Sequence, residues 1–138
     1  MEYLSKSVLQ TQNIAKQFAK TLKKGDIVLL NGEMGAGKTV FVKGVAKALG
    51  ITAQITSPTY AYMNDYDGIL YHYDCYRLSS GEDAEGLGLT DYFYADGICI
   101  IEWAQNIRRM HRKVEPGLRP FWIDCAAQPI KLKFLWLI

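Results

Sequence analysis

Gly32, Gly37, Lys38 and Thr39 occupy the four fixed positions of G-x-x-x-x-G-K-[ST], in the stretch GEMGAGKT. Each residue type answers a demand of phosphate chemistry. Glycines, with Gly35 between the outer two, let successive backbone N–H groups converge on an anion. The amides of Glu33, Met34, Gly35, Ala36, Gly37, Lys38, Thr39 and Val40 are the expected cradle, at the positive end of the helix that follows. Lys38 reaches β- and γ-phosphates as a point charge, and the Thr39 hydroxyl is placed to bind Mg²⁺.

A site of this kind needs a carboxylate at the end of a neighbouring buried strand, to hold the metal through its water shell or to orient an attacking water. Glu102 ends the apolar run GICIIE, and Asp74 ends the more alternating run ILYHYD. Each also reads as a strand-end cap or an ion pair, with Arg77 the obvious partner for Asp74. The stretch Thr56-Ser57-Pro58-Thr59 is either a hydroxyl-bearing loop that senses the γ-phosphate and its metal or a Ser-Pro turn with capping hydroxyls. His72, bracketed by tyrosines on a strand, reads as a packed or hydrogen-bonded side chain rather than a catalytic one. Trp103 and the other aromatics read first as core. Arg108, Arg109, Arg112 and Lys113 form the one dense basic cluster. Cations at a helix C-terminus are stabilising without a ligand, and with no aromatic interleaving around them that reading is preferred over RNA contact.

The elements that must hold these groups are legible in outline. Thr11 to Leu22 carries apolar residues at helical spacing, and DIVLLN is a short buried strand of the parallel-sheet type. KTVFVKGVAKALG reads as a helix ending at Gly50. YAYMND and ILYHYD, joined by Tyr66-Asp67-Gly68, read as a hairpin. Ser80 to Leu89 could hold one short helix, GICIIEW is a second buried strand, and AQNIRRMHRK continues as a helix. RPFWIDCAAQPIKLKFLWLI suggests two strands around a turn near Gln128-Pro129. The expected fold is one α/β domain over residues 1–138, a P-loop NTPase-like three-layer sandwich. Its central sheet is mostly parallel, with an antiparallel hairpin and C-terminal edge strands.

Sixteen basic against fourteen acidic side chains leave a net charge of +2, which excludes a global field for gripping nucleic acid or an anionic membrane. Cys75, Cys99 and Cys125 form no CxxC pair, so no disulfide framework or zinc ribbon is implied, and reduced buried thiols are expected. The N-terminus has no apolar signal core, and no run approaches the roughly 20 residues needed to cross a bilayer. A cytoplasmic location without membrane partners is expected.

Taken in order, LKKGDIVLLNGEMGAGKT, the glycine-ended helix to ALGI, SPTY, HYDCYRL and IIEW resemble the bacterial TsaE (YjeE) family, over residues 8–107. That family comprises P-loop ATPases of tRNA threonylcarbamoyladenosine biosynthesis. The resemblance implies that Gly35, Gly37, Lys38 and Thr39 belong to a phosphate and magnesium site. It implies that Asp74 and Glu102 are the two functionally important acids and that Ser57 and Thr59 lie in a switch-like loop. Thr11 falls near a nucleotide-contacting threonine, and Trp103 matches the tryptophan beside the acid. The implied ligands are ATP and Mg²⁺. The implied activity is ATP hydrolysis, slow when alone, acting on a complex of TsaD and TsaB that modifies an adenosine of the tRNA anticodon loop, with any tRNA contact local or indirect. The chain departs from the family at EWAQ, where Gln105 replaces a second acid, and Arg119, Lys131 and Lys133 give no secure match to its C-terminal arginine. Two other functions stay open: a small-molecule P-loop kinase, with Arg77 or the 108–113 cluster on a lid, and a nucleotide-binding interaction module whose hydrolysis is incidental.

Overall fold

In the computed structural model the described residues are 2–33, 37–58, 60–93, 96–107, 121–127 and 130–136. In chain order the elements are β1 (Glu2–Ser5), α1 (Val8–Ala19), β2 (Ile27–Asn31), α2 (Lys38–Ala48), β3 (Met63–Tyr66) and β4 (Leu70–Asp74). There follow α3 (Gly81–Gly86), a 3₁₀ turn (Leu89–Tyr92), β5 (Ile98–Glu102), β6 (Phe121–Ala127) and β7 (Ile130–Trp136).

The strands form one seven-stranded sheet in the order β1-β7-β6-β2-β5-β4-β3. Its central four, β6, β2, β5 and β4, run parallel, and the outer pairings are antiparallel. Strands buried on both faces cannot alternate polar with apolar, which is why IVLL and ICII read as unbroken apolar runs. Alternate residues divide the core into two layers. Val28, Leu30, Ile98, Ile100 and Leu70 pack with Ala15 and Ala19 of α1 and Phe41, Val42 and Val45 of α2. On the other face Ile27, Leu29, Cys99, Ile101, Tyr71 and Tyr73 pack with Ala84, Leu89 and Phe93. Helices therefore cover both faces, the three-layer α/β arrangement expected from the sequence.

The parallel register sets the functional edge. Leu30 pairs with Glu102, Glu102 with Asp74, and Asn31 with Asp124, so the carboxyl ends of β2, β5, β4 and β6 finish in one row. Helix α2 leaves this edge and stops in a Schellman arrangement. The Gly50 N–H donates to Lys47 O at 3.1 Å, the Ile51 N–H donates to Ala46 O at 3.0 Å, and Gly50 has φ +79°.

Some boundaries differ from expectation. The first helix begins at Val8, capped by Ser7, whose hydroxyl accepts from the Gln10 N–H at 3.1 Å. Strand β1 had no counterpart in the sequence reading; it pairs with β7, so the C-terminal hairpin is flanked by a further strand. The aromatic hairpin forms as expected, but its first strand starts at Met63 rather than Tyr60, because Tyr62 sits at φ +65° and its N–H donates to Pro58 O at 2.8 Å, making a turn ahead of the strand. After β5, residues 104–107 form a short 3₁₀ turn. The rest of the expected helix, with Arg108, Arg109, Arg112 and Lys113, lies outside the described residues, as do Arg119 and the Gln128-Pro129 turn.

Candidate functional site

Lys38 and Thr39 open α2 at the carboxyl edge of the sheet. The helix has no side-chain cap: its N-cap, Gly37, sits at φ +88° and has no side chain to bond the first turn, which holds no acid. At that φ a Cβ would be strained, so glycine is required there, and the first helical N–H groups are left for an outside acceptor. Lys38 folds back over this end. Its ammonium donates to the backbone oxygens of Gly32 and Glu33, the latter at 3.1 Å, and lies 3.9 Å from the centre of the Trp103 ring. Burial holds Lys38 below the ordinary lysine range; the charges of Glu102, Asp74 and Glu33 act the other way but are outweighed.

The two sequence-predicted acids are both brought to this point. The Thr39 hydroxyl donates to the Glu102 carboxylate, 3.1 Å from Oε1 and 3.3 Å from Oε2. Asp74, one strand over, accepts from the Ser57 hydroxyl at 3.0 Å and from the Tyr76 N–H at 2.9 Å. Asp74 and Glu102 are both buried among otherwise apolar strands. The expected pairing of Asp74 with Arg77 is replaced by these bonds; the Arg77 guanidinium lies over the exposed Tyr60 ring, 5.3 Å from its centre. Ser57 thus joins the loop after α2 to the second acid.

Trp103 follows Glu102 directly and adopts φ +58°, a conformation a bulky side chain takes only under constraint. It is sandwiched between Lys38 and the Tyr76 ring, whose centroid is 4.9 Å away. Read first as core from the sequence and matched by the resemblance to the tryptophan beside the acid, it is half-buried, packing against the core while covering Lys38. Thr11 is fully enclosed in α1. The Ser5 hydroxyl donates to Ser7 O at 2.8 Å, so the 2.7 Å bond between Ser5 and Thr11 is donated by Thr11. Glu33 is exposed and Val40 half-buried, flanking the loop. Met34, Gly35, Ala36 and Thr59 lie outside the described residues.

His72, expected as a packed or hydrogen-bonded side chain, is both; only its partner was not foreseen. His72 is fully buried on β4, two residues before Asp74 and on the same face, and its Nε2 lies 2.5 Å from Glu102 Oε2. The available signal was the i, i+2 spacing of His72 and Asp74, which places both on the α2 side of a strand. A second missed pair, the Asn31 amide donating to Asp124 Oδ1 at 2.9 Å, ties the end of β2 to β6 just before the loop.

Mg²⁺ prefers hard oxygen ligands and keeps several waters, sharing its remaining positions with phosphates. The Thr39 hydroxyl and the Glu102 carboxylate, already in contact, suit that chemistry. Among the described residues no group of three or more His, Cys, Asp or Glu side chains could hold a metal alone, so phosphate oxygens would have to complete the set.

A protein-family profile described as "Threonylcarbamoyl adenosine biosynthesis protein TsaE" matches residues 5–126. A tRNA threonylcarbamoyladenosine biosynthesis protein TsaE of Bacillus subtilis is 46% identical over 101 residues, covering 71% of this chain and 63% of the relative. One of Treponema pallidum is 41% identical over 109 residues, covering 78% and 81% respectively. One of Haemophilus influenzae is 40% identical over 99 residues, covering 66% and 63%. The chain thus spans less than two thirds of the B. subtilis and H. influenzae relatives. The crystal structure of Bacillus subtilis YdiB superposes with a TM-score of 0.75 at 32% identity, covering 97% of this chain and 83% of that one.

Proposed function

The chain belongs to the TsaE family, and from that premise we propose that it is a Mg²⁺-dependent ATPase of threonylcarbamoyladenosine formation on tRNA. In this reading it works in the cytoplasm together with TsaD and TsaB. The observation that carries the reading is the Thr39–Glu102 bond: a hydroxyl of the phosphate-loop helix and a carboxylate 63 residues away meet at 3.1 Å. A glycine-rich turn serving only to start a helix has no need of that buried acid.

The residues divide the work. The loop amides and the start of α2 bind the β- and γ-phosphates of ATP, and Lys38 leaves the Gly32 and Glu33 carbonyls for phosphate oxygens. Thr39 and Glu102 are the side chains that would hold Mg²⁺, which when bound neutralises charge on the phosphates. Glu102 and Asp74 are the acids that would order water around the γ-phosphate. Ser57, bonded to Asp74, exchanges that partner when the γ-phosphate arrives. The loop around it then reports nucleotide state to a protein partner. Among the described residues no helix is long and apolar enough to cross a membrane.

Phosphate release, by the chain alone and with TsaD and TsaB added, tests this. Slow release that rises on addition of the partners is expected, and Glu102→Gln should still bind ATP while losing about 100-fold or more in turnover. Absence of both stimulation and co-purification would remove the reading. Phosphate appearing on a nucleoside acceptor instead of in solution would point to a kinase. Partner function surviving in Glu102→Gln would point to a binding module.

A further inference from the structure

The Glu102 carboxylate is held from two directions. Thr39 approaches from α2, and His72 from within the sheet, with Nε2 at 2.5 Å from Oε2. A carboxylate only accepts hydrogen bonds, so the contact requires a proton on Nε2. The other ring nitrogen, Nδ1, is buried and has no hydrogen-bond partner among the described residues. Leaving a buried ring nitrogen unmatched is costly, and a core position would be filled more cheaply by an apolar side chain. The imidazole is retained at a place where its one bond goes to the acid that faces Thr39.

We infer that His72 is a positioning residue for Glu102. It fixes the carboxylate from below so that the acid keeps its place when Thr39 turns away toward a metal and phosphate. The two contacts on Glu102 have different fates under the proposed function, on which this inference rests. The Thr39 hydroxyl has a second use in the nucleotide complex. His72, with 0% of its surface exposed and set back in β4, has none. It therefore remains the fixed anchor throughout the cycle, and without it Glu102 is free to rotate just when its direction matters.

Two substitutions separate donation from packing. His72→Gln presents an amide N–H at the reach of Nε2, whereas His72→Asn is shorter and withdraws the donor. Removing the partner that orients a metal-site ligand typically costs about 10- to 100-fold. His72→Asn should lower turnover and raise the Mg²⁺ concentration for half-maximal ATP binding within that range. ATP affinity measured by calorimetry in EDTA should stay within about twofold. His72→Gln should recover most of both losses. Equal losses in the two variants, as packing alone would give, or wild-type behaviour in His72→Asn, would overturn the assignment. Nitrogen NMR of the unaltered, nucleotide-free protein adds an arm free of any folding defect: a proton on Nε2 of His72 is expected, and a bare Nε2 refutes the inference. Glu102→Gln measured alongside distinguishes the two levels. If it keeps wild-type turnover, the ATPase mechanism fails and the positioning role with it; if it is inactive while His72→Asn is normal, only the positioning role falls.

Discussion

Lys38 keeps only 5% of its surface exposed, and its ammonium is bonded to carbonyls of its own loop. The Trp103 face covers the charge from the side. The ammonium is thus desolvated before any ligand arrives, the condition under which a charged hydrogen bond to phosphate gains most. Lys38→Met keeps the length and the contact with Trp103 but removes the charge. It should weaken ATP binding by about 100-fold, since bonds to charged groups are worth the most. The Tm without nucleotide should move by less than roughly 3 °C, because the loop carbonyls return to water. Calorimetry and a thermal melt read both; a large Tm drop would mean that Lys38 holds the fold. At this scale Lys38 and Thr39 were legible because motif spacing is a local signal, whereas strand ends made Asp74 and Glu102 candidates that the family resemblance singled out. His72 was legible as a packed or hydrogen-bonded side chain but not as the partner of Glu102, 30 residues away on a neighbouring strand, because strand alternation reveals a face but not a contact.

Helix α2 carries the loop residues, and its placement depends on Gly44. A Cβ there would stand 2.7 Å from the Ala15 Cβ and 2.7 Å from Gln12 O, inside the contact distance of α1. Helix propensity alone says that Gly44→Ala should stabilise by about 1 kcal/mol. The close approach says the opposite: the variant should lose roughly 1–3 kcal/mol as the helices are forced apart. Urea unfolding decides between them by the sign of the change. Because Lys38 lies six residues up the same helix, roughly 9 Å along its axis, ATP affinity should fall as well. The limits of sequence reading at this scale have a common cause. Val8 and Leu9 are 58% and 65% exposed, so the apolar spacing of α1 starts three residues late. In β1 only Ser5 is buried, and the strand is defined by its pairing with β7, a contact across the whole chain that no local pattern encodes. The long buried strands and the aromatic hairpin were legible because burial on both faces, or alternation about a turn, is written in consecutive residues.

Over the whole molecule, all three thiols are enclosed. Burial pushes Cys75, Cys99 and Cys125 up to about 12, from an ordinary value of 9.0. A raised folded-state value means that the folded protein holds more protons than the unfolded chain between those limits. Stability from the thiols is complete below pH 9.0 and is lost as pH rises toward about 12. Lys38, lowered by burial, acts with the opposite sign, but one amine stands against three thiols. The urea midpoint should therefore fall between about pH 8 and pH 11, with each thiol contributing on the order of 1 kcal/mol per pH unit above its unfolded value. Replacing the three cysteines by alanine should flatten that slope; an unchanged slope would mean that other groups govern alkaline unfolding. The separation in sequence between Thr39 and Glu102 has a consequence in time. Ribosomes add about 5–20 residues per second, so the 63 positions between them correspond to roughly 3–13 s of synthesis. For that interval the growing polypeptide carries the residues of the phosphate loop but not the acid, and β6, which flanks β2, is not yet made. Under the proposed function a nascent chain is unable to consume ATP until the sheet has closed around its centre, and hydrolysis itself certifies that translation has passed β5.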